Sequence, residues 1–135
     1  MIRAVIVDDE ARARRVLHNL LSSYCNDIEV VADSENVPDA VIKINNLKPD
    51  VVFCDIEMPD YNGFELLSFF SEVPFELIFT TGYSEYAIQA FEVSAVDYLL
   101  KPIQIDALQA SVEKLKQRLG QRTMPERLNT LKENI

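Results

Sequence analysis

Glycine is scarce in this chain: Gly63, Gly82 and Gly120 are the only three in 135 residues. None makes a GxGxxG after the first apolar run, which disfavours a Rossmann dinucleotide site. No Ser/Thr-rich phosphate loop follows that run either, so a flavodoxin-type flavin site lacks its cradle. Cysteine is scarce too, with Cys25 and Cys54 alone. Two cysteines without a secretory signal make no disulfide framework, and free thiols point to a reducing cytoplasm. Cys54 lies in an apolar run and reads as a small core residue. His18 is the single histidine and no CxxC spacing occurs, so the ligand patterns of zinc are missing. His18 sits beside an apolar stripe without a base or phosphate cradle, which reads as an exposed, inert side chain. No apolar stretch approaches the roughly 18 residues needed to span a bilayer. Positive charge is short as well: 13 Lys and Arg face 22 Asp and Glu, for a net charge of −9. An acidic chain repels phosphate backbones, so nucleic acid is not expected to bind to this polypeptide itself.

What is present is a 48% hydrophobic chain of a length that suits one core. Short apolar runs at Ile2–Val7, Ile28–Ala32, Val51–Cys54, Leu77–Thr80 and Val96–Leu100 are rich in Val, Ile, Phe and Tyr. Several are apolar at every position, as strands are when helices cover both faces of a parallel sheet. Amphipathic segments lie between them. Ala13, Val16, Leu17, Leu20, Leu21 and Tyr24 follow helical spacing, and so do Val37, Ala40, Val41 and Ile44, with Pro38 suited to a first helical turn. A short helix is expected around Phe64, Leu67 and Phe70, after a turn relieved by Gly63. Another is expected near Tyr86–Phe91. Ile105, Leu108, Val112, Leu115 and Leu119 form a final stripe. Strict alternation predicts an α/β fold: a doubly wound, five-stranded parallel sheet with right-handed crossovers and the flavodoxin-like order 2-1-3-4-5. Residues 1–120 carry this pattern. In residues 121–135 polar residues dominate and Pro125 interrupts the periodicity, which reads as a linker or a helix extension, although Leu128, Leu131 and Ile135 could line a short helix.

In such a sheet, ligands bind beyond the carboxyl ends of the strands, where the strand order reverses. The first strand ends in Asp8 and Asp9, the third in Asp55, the fourth in Thr80, Thr81 and Gly82, and the fifth in Lys101 before Pro102. Three carboxylates converging on one crevice would repel one another and gain protons. A divalent cation removes that penalty, and Mg²⁺ suits a site with few carboxylates that must also accept phosphate oxygens. Lys101 adds a point charge. Alternation along the fourth strand favours Thr81, not Thr80, as the hydroxyl at the crevice. Pro102 restricts Lys101 to extended backbone, as expected of a held strand end. Carboxylate, Mg²⁺, ammonium and hydroxyl together are what phosphoryl transfer to a carboxylate requires.

These residues resemble the receiver domain of bacterial two-component response regulators. The matching stretches are "VDDE" after the first strand, "DIEMPDYNG" after the third, "TTG" after the fourth and "DYLLKP" at the fifth, and the likeness runs from Ile2 to about Leu119. It implies that Asp55 accepts a phosphoryl group from a sensor histidine kinase. It implies that Asp9 and Asp55 ligate Mg²⁺ together with the backbone carbonyl of Glu57, and that Asp8 acts through water. Thr81 and Lys101 would bind phosphoryl oxygens, and Tyr98 takes the position of an aromatic switch. The face of the fourth helix, fifth strand and fifth helix would then change its partners or form a homodimer. Glu57 and Tyr83 occupy positions that tune phosphoryl lifetime. "TGYSEYAIQAFEVSAVDYLLKPI" is similar to the LytTR-type transcriptional regulators, whose DNA-binding domain follows a linker. Ile135 comes too soon for such a domain, so DNA binding is expected of a missing part. A cytoplasmic signalling protein with no membrane contact is expected. Of the rivals, a haloacid-dehalogenase-type phosphatase wants an Asp two residues after its nucleophile, where this chain has Glu57. A scaffold that is never phosphorylated is disfavoured by the intact acid and lysine set.

Overall fold

A computed structural model describes residues 1–133, with side chains as far as Gln121; the expected apolar positions Leu128, Leu131 and Ile135 lie outside the described side chains. Ten elements follow in strict alternation: β1 (Ile2–Val7), α1 (Ala11–Tyr24), β2 (Ile28–Ser34), α2 (Val37–Leu47), β3 (Val51–Cys54), α3 (Glu65–Phe69, a 3-10 helix), β4 (Glu76–Thr81), α4 (Ala87–Glu92), β5 (Asp97–Leu100) and α5 (Ile105–Glu133). All pairings are parallel, and the order is β2-β1-β3-β4-β5. The doubly wound, flavodoxin-like arrangement expected from the alternation is the one observed.

The period of two along each strand divides the core into two halves. Ala4 and Ile6 of β1 and Phe53 of β3 pack with Leu17 and Leu21 of α1 and with Leu108, Val112 and Leu115 of α5. Val5, Val7, Val52 and Cys54 turn to the other face and meet Val37, Ala40 and Ile44 of α2, Leu66 of α3 and Ala90 of α4. The central strands are therefore apolar throughout because both faces are covered.

Local chemistry explains the ends. The Asn36 side chain accepts a hydrogen bond from the Asp39 amide at 2.9 Å, satisfying a donor that the first turn of α2 leaves free, and Pro38 needs no such partner. β2 runs two residues beyond the expected Ala32, because the Ser34 carbonyl accepts from the Asp8 amide at 3.0 Å.

Two expectations are corrected, the third helix and the buried stripe. The third helical segment is a 3-10 turn with i→i+3 bonds from Leu67 to Phe64 and from Phe70 to Leu67, and Leu66 is its buried residue. Five residues are too few to nucleate an α-helix without help. Val16, Tyr24 and Ile105 are exposed, since the sheet covers a narrower stripe than the apolar periodicity offers. Gly63 does not adopt positive φ. The backbone is helical past Pro125 to Glu133.

Candidate functional site

Gly63 lies in the turn before α3, and there it matters for closeness. A β-carbon at this position would lie 2.4 Å from the Asp55 carbonyl oxygen, and the Gly63 amide donates to the Ile56 carbonyl at 2.8 Å. The loop after β3 thus folds back directly onto the residue at the end of that strand.

That residue, Asp55, is buried, and so is Asp8 at the end of β1; Asp9 is exposed. β1 and β3 are neighbours at the reversal of strand order, and each of the three carboxylates offers an oxygen within 4.8 Å of the others. Lys101, at the end of β5, crosses to them. Its Nζ donates to Asp8 Oδ2 at 2.6 Å and to Asp55 Oδ2 at 3.2 Å. The second oxygens are held by backbone: the Ile56 amide donates to Asp55 Oδ1 at 2.7 Å, and the Glu10 amide to Asp8 Oδ1 at 3.0 Å. The Lys101–Pro102 peptide bond is cis.

Burial pushes the Asp55 carboxyl above the usual carboxylate range, and Asp8 adds to the rise, while Lys101 and the Ile56 amide pull the other way. Lys101 is held above the usual lysine value: burial opposes its charge, but its hydrogen bond to Asp8 and the nearby charge of Asp55 outweigh that. Burial also raises the Cys54 thiol, helped by Asp55 and Asp8, so Cys54 is an inert core thiol. The donor set is all carboxylate oxygen, the chemistry of a hard divalent cation such as Mg²⁺. Three acids beside one lysine, which pairs with Asp8 and Asp55, leave an excess of negative charge that such an ion would neutralise, and the residues fit it.

Thr81, the last residue of β4, is fully buried, and its Oγ1 has no hydrogen-bond partner among the described residues, a condition it shares with Ser34 Oγ. An unmade bond on a buried hydroxyl costs about 1–3 kcal/mol. The Thr81 oxygen therefore has reason to meet an acceptor brought into the crevice.

The crevice has a volume of about 370 Å³ and is lined by Asp9, Glu10, Asp55, Glu57, Gly82, Tyr83 and Lys101. Of the residues singled out from sequence, Asp8, Asp9, Asp55 and Lys101 are brought together directly. Thr81 is buried and is not among the lining residues, though its neighbour Gly82 is. Tyr98, on β5, is half-buried and donates its hydroxyl proton to the Tyr83 carbonyl in the loop after β4. The Glu57 carboxylate is turned to Tyr86, whose hydroxyl donates to Oε1 at 2.6 Å. That bond pushes the Tyr86 phenol up to about 12. His18 is exposed, as expected.

Two residues escaped the sequence reading. Arg14 on α1 donates to the Asp8 carbonyl at 2.7 Å and pairs with Asp33 at 3.4 Å, fixing the backbone of the acidic turn. Tyr86 is the other. Three arginines crowd α1, and nothing in their spacing says which reaches back to the strand end.

Residues 4–113 match the family model described as "Response regulator receiver domain". An uncharacterized response regulatory protein of Vibrio cholerae is 47% identical over 116 residues, which cover 85% of this chain and 48% of that protein. The sensory transduction protein LytT of Bacillus anthracis is 38% identical over 118 residues, 86% of this chain and 48% of that protein. The chain thus spans about half the length of the curated relatives it matches. Among solved structures, the response regulatory domain of protein mrkE from Klebsiella pneumoniae aligns with a TM-score of 0.78 at 30% identity, covering 89% of this chain and 99% of that one.

Proposed function

This chain belongs to the response regulator receiver domain family, and from that premise we propose that Asp55 is its phospho-acceptor, loaded by a sensor histidine kinase in a Mg²⁺-dependent reaction. The observation that carries the reading is the buried Asp55 carboxylate, which shares Lys101 with Asp8 at the reversal point of the sheet. An Asp55 oxygen attacks phosphorus, and the bond from phosphorus to the donor histidine breaks. Asp9, Asp55 and the Glu57 carbonyl would hold Mg²⁺, with Asp8 acting through water. When bound, the ion offsets charge on the phosphoryl oxygens. Lys101 then exchanges a carboxylate partner for a phosphoryl oxygen, and the unpartnered Thr81 hydroxyl donates to another. Movement of Thr81 alters the space beside Tyr98, so a local charge event biases a two-state surface.

That surface is the α4-β5-α5 face. Ile88 and Phe91 of α4 and Leu100 of β5 are exposed there, which favours a second copy of the chain as one partner. The chain acts as a signalling acceptor, not as an enzyme on an external substrate. Residues 1–120 form the receiver, and residues 121–135 lead toward an output domain. Similarity to LytT over half of that protein's length supports a LytTR-type, DNA-binding, transcription-regulating output, with DNA contacted there and not by this acidic chain. The kinase partner places the chain in the cytoplasm, and no helix among the described residues is long and apolar enough to cross a membrane.

The test is incubation with acetyl phosphate, with and without Mg²⁺, followed by intact mass. One Mg²⁺-dependent phosphoryl adduct is expected in the wild-type chain and none in Asp55→Asn. Steady turnover of a phosphate ester without an adduct would instead favour a phosphatase.

A further inference from the structure

One contact at the crevice has no part in phosphoryl transfer. Glu57 lines the crevice two residues after Asp55, yet its carboxylate is engaged by the Tyr86 hydroxyl at 2.6 Å. Tyr86 stands at the start of α4. Its ring packs against Phe64 with centroids 6.2 Å apart, and edge-on against Tyr83 at 6.4 Å. Phe64 itself rests on the fully buried Phe79 of β4, with centroids 4.8 Å apart. The phenol is thus positioned by the core on one side and by the loop after β4 on the other. It is not a freely swinging side chain. Tyr83 in turn supplies the carbonyl that receives the Tyr98 hydroxyl. A line of contacts therefore runs from the tyrosine of β5, through the loop after β4, to the carboxylate nearest the acceptor loop.

We propose that Tyr86 is a positioning residue that occupies the Glu57 carboxylate with a hydrogen bond and so lengthens the life of the phosphoryl group on Asp55. The inference rests on the receiver reading given above and concerns the regulation of the same site. Loss of the phosphoryl group is hydrolysis. A water oxygen bonds to phosphorus, and the bond between phosphorus and the Asp55 oxygen breaks. Asp55 leaves as a carboxylate, and both water protons depart with inorganic phosphate. A carboxylate at the mouth of the crevice is a hydrogen-bond acceptor able to orient that water. Glu57 bound to a phenol is occupied, whereas Glu57 released from it is not. Because Tyr86 is the cap residue immediately before α4 and its neighbour Tyr83 meets Tyr98, anything that docks on or shifts α4 also sets how firmly Glu57 is held. The output surface thereby acts back on the lifetime of its own signal.

The experiment measures the decay of the acetyl-phosphate-derived adduct by intact mass after removal of the donor. It compares the wild-type chain, Tyr86→Phe, and Tyr83→Phe/Tyr86→Phe, the last so that Tyr83 cannot take over the bond. Both variants are repeated on a Glu57→Gln background. The tether predicts decay faster by about fivefold in Tyr86→Phe, below the 10²–10⁴ of a fully placed proton acceptor. It also predicts that removing the phenol from Glu57→Gln adds nothing to that variant's own rate. The dependence on Glu57 separates a tether from general loosening of the loop, which would speed decay on both backgrounds. Unchanged decay in both tyrosine variants, or acceleration that survives Glu57→Gln, overturns the tether while leaving the receiver reading intact. Absence of any adduct in the wild-type chain overturns that reading, and the tether with it.

Discussion

At the scale of single residues, the site is an arrangement of charges that the folded chain holds at a cost. Asp55 is buried beside Asp8, with one lysine between them. Its carboxyl is raised by that burial first and by Asp8 second. A carboxyl raised in the folded state binds its proton more tightly there than in the unfolded chain. Its contribution therefore favours folding below the ordinary carboxylate pKa and is lost as pH rises through the raised value. At neutral pH the ionised Asp55 works against the fold. In Mg²⁺-free buffer at pH 7, Asp55→Asn is expected to be more stable than wild type, because the amide carries no charge to bury. In urea titrations the gain should shrink as pH falls toward the ordinary carboxylate pKa of about 4. Equal midpoints at neutral pH would contradict the assigned burial cost. Asp8, Asp9, Asp55, Thr81 and Lys101 were legible in sequence because each stands where an apolar run stops. Arg14 and Tyr86 were not, because their partners are set by how far long side chains reach between loops, which no periodicity records.

At the scale of elements, the acceptor loop is shaped by one absent side chain. Gly63 lets the loop after β3 lie against the Asp55 carbonyl, closer than a β-carbon permits. The obstacle is backbone, so a substitution must displace the loop itself. Gly63→Ala is expected to destabilise the chain by about 1–3 kcal/mol, as overpacking does. It should also slow adduct formation at Asp55, read by urea unfolding and by the rate of mass gain. A variant as stable and as fast as wild type would remove Gly63 from the account. The sequence suggested a turn role for this glycine, and the close approach could not be read from it. Strand positions were legible to within two residues at each end, since buried parallel strands are continuous apolar runs. The α3 segment was less so, because Phe64, Leu67 and Phe70 have helical spacing whether or not five residues can sustain an α-helix. Val16 and Tyr24 fit the α1 stripe equally well, and only the width of the sheet decides that they are left out.

At the scale of the whole molecule, covering both faces of the sheet fixes where chemistry can happen. Helices occupy the two faces, so the open ground is at the strand ends, and the reversal of order between β1 and β3 makes a crevice there. That much followed from alternation alone. The net charge of −9 is one that a bound cation would offset in part and that repels phosphate backbones. The central claim is that Asp55, and not its neighbours Asp8 or Asp9, carries the phosphoryl group. The most direct test is to load the chain with acetyl phosphate and Mg²⁺, reduce the acyl phosphate with borohydride, and map the modified residue by peptide sequencing in a mass spectrometer. Homoserine at position 55 alone is the result predicted here; homoserine at position 8 or 9, or at none, would contradict it.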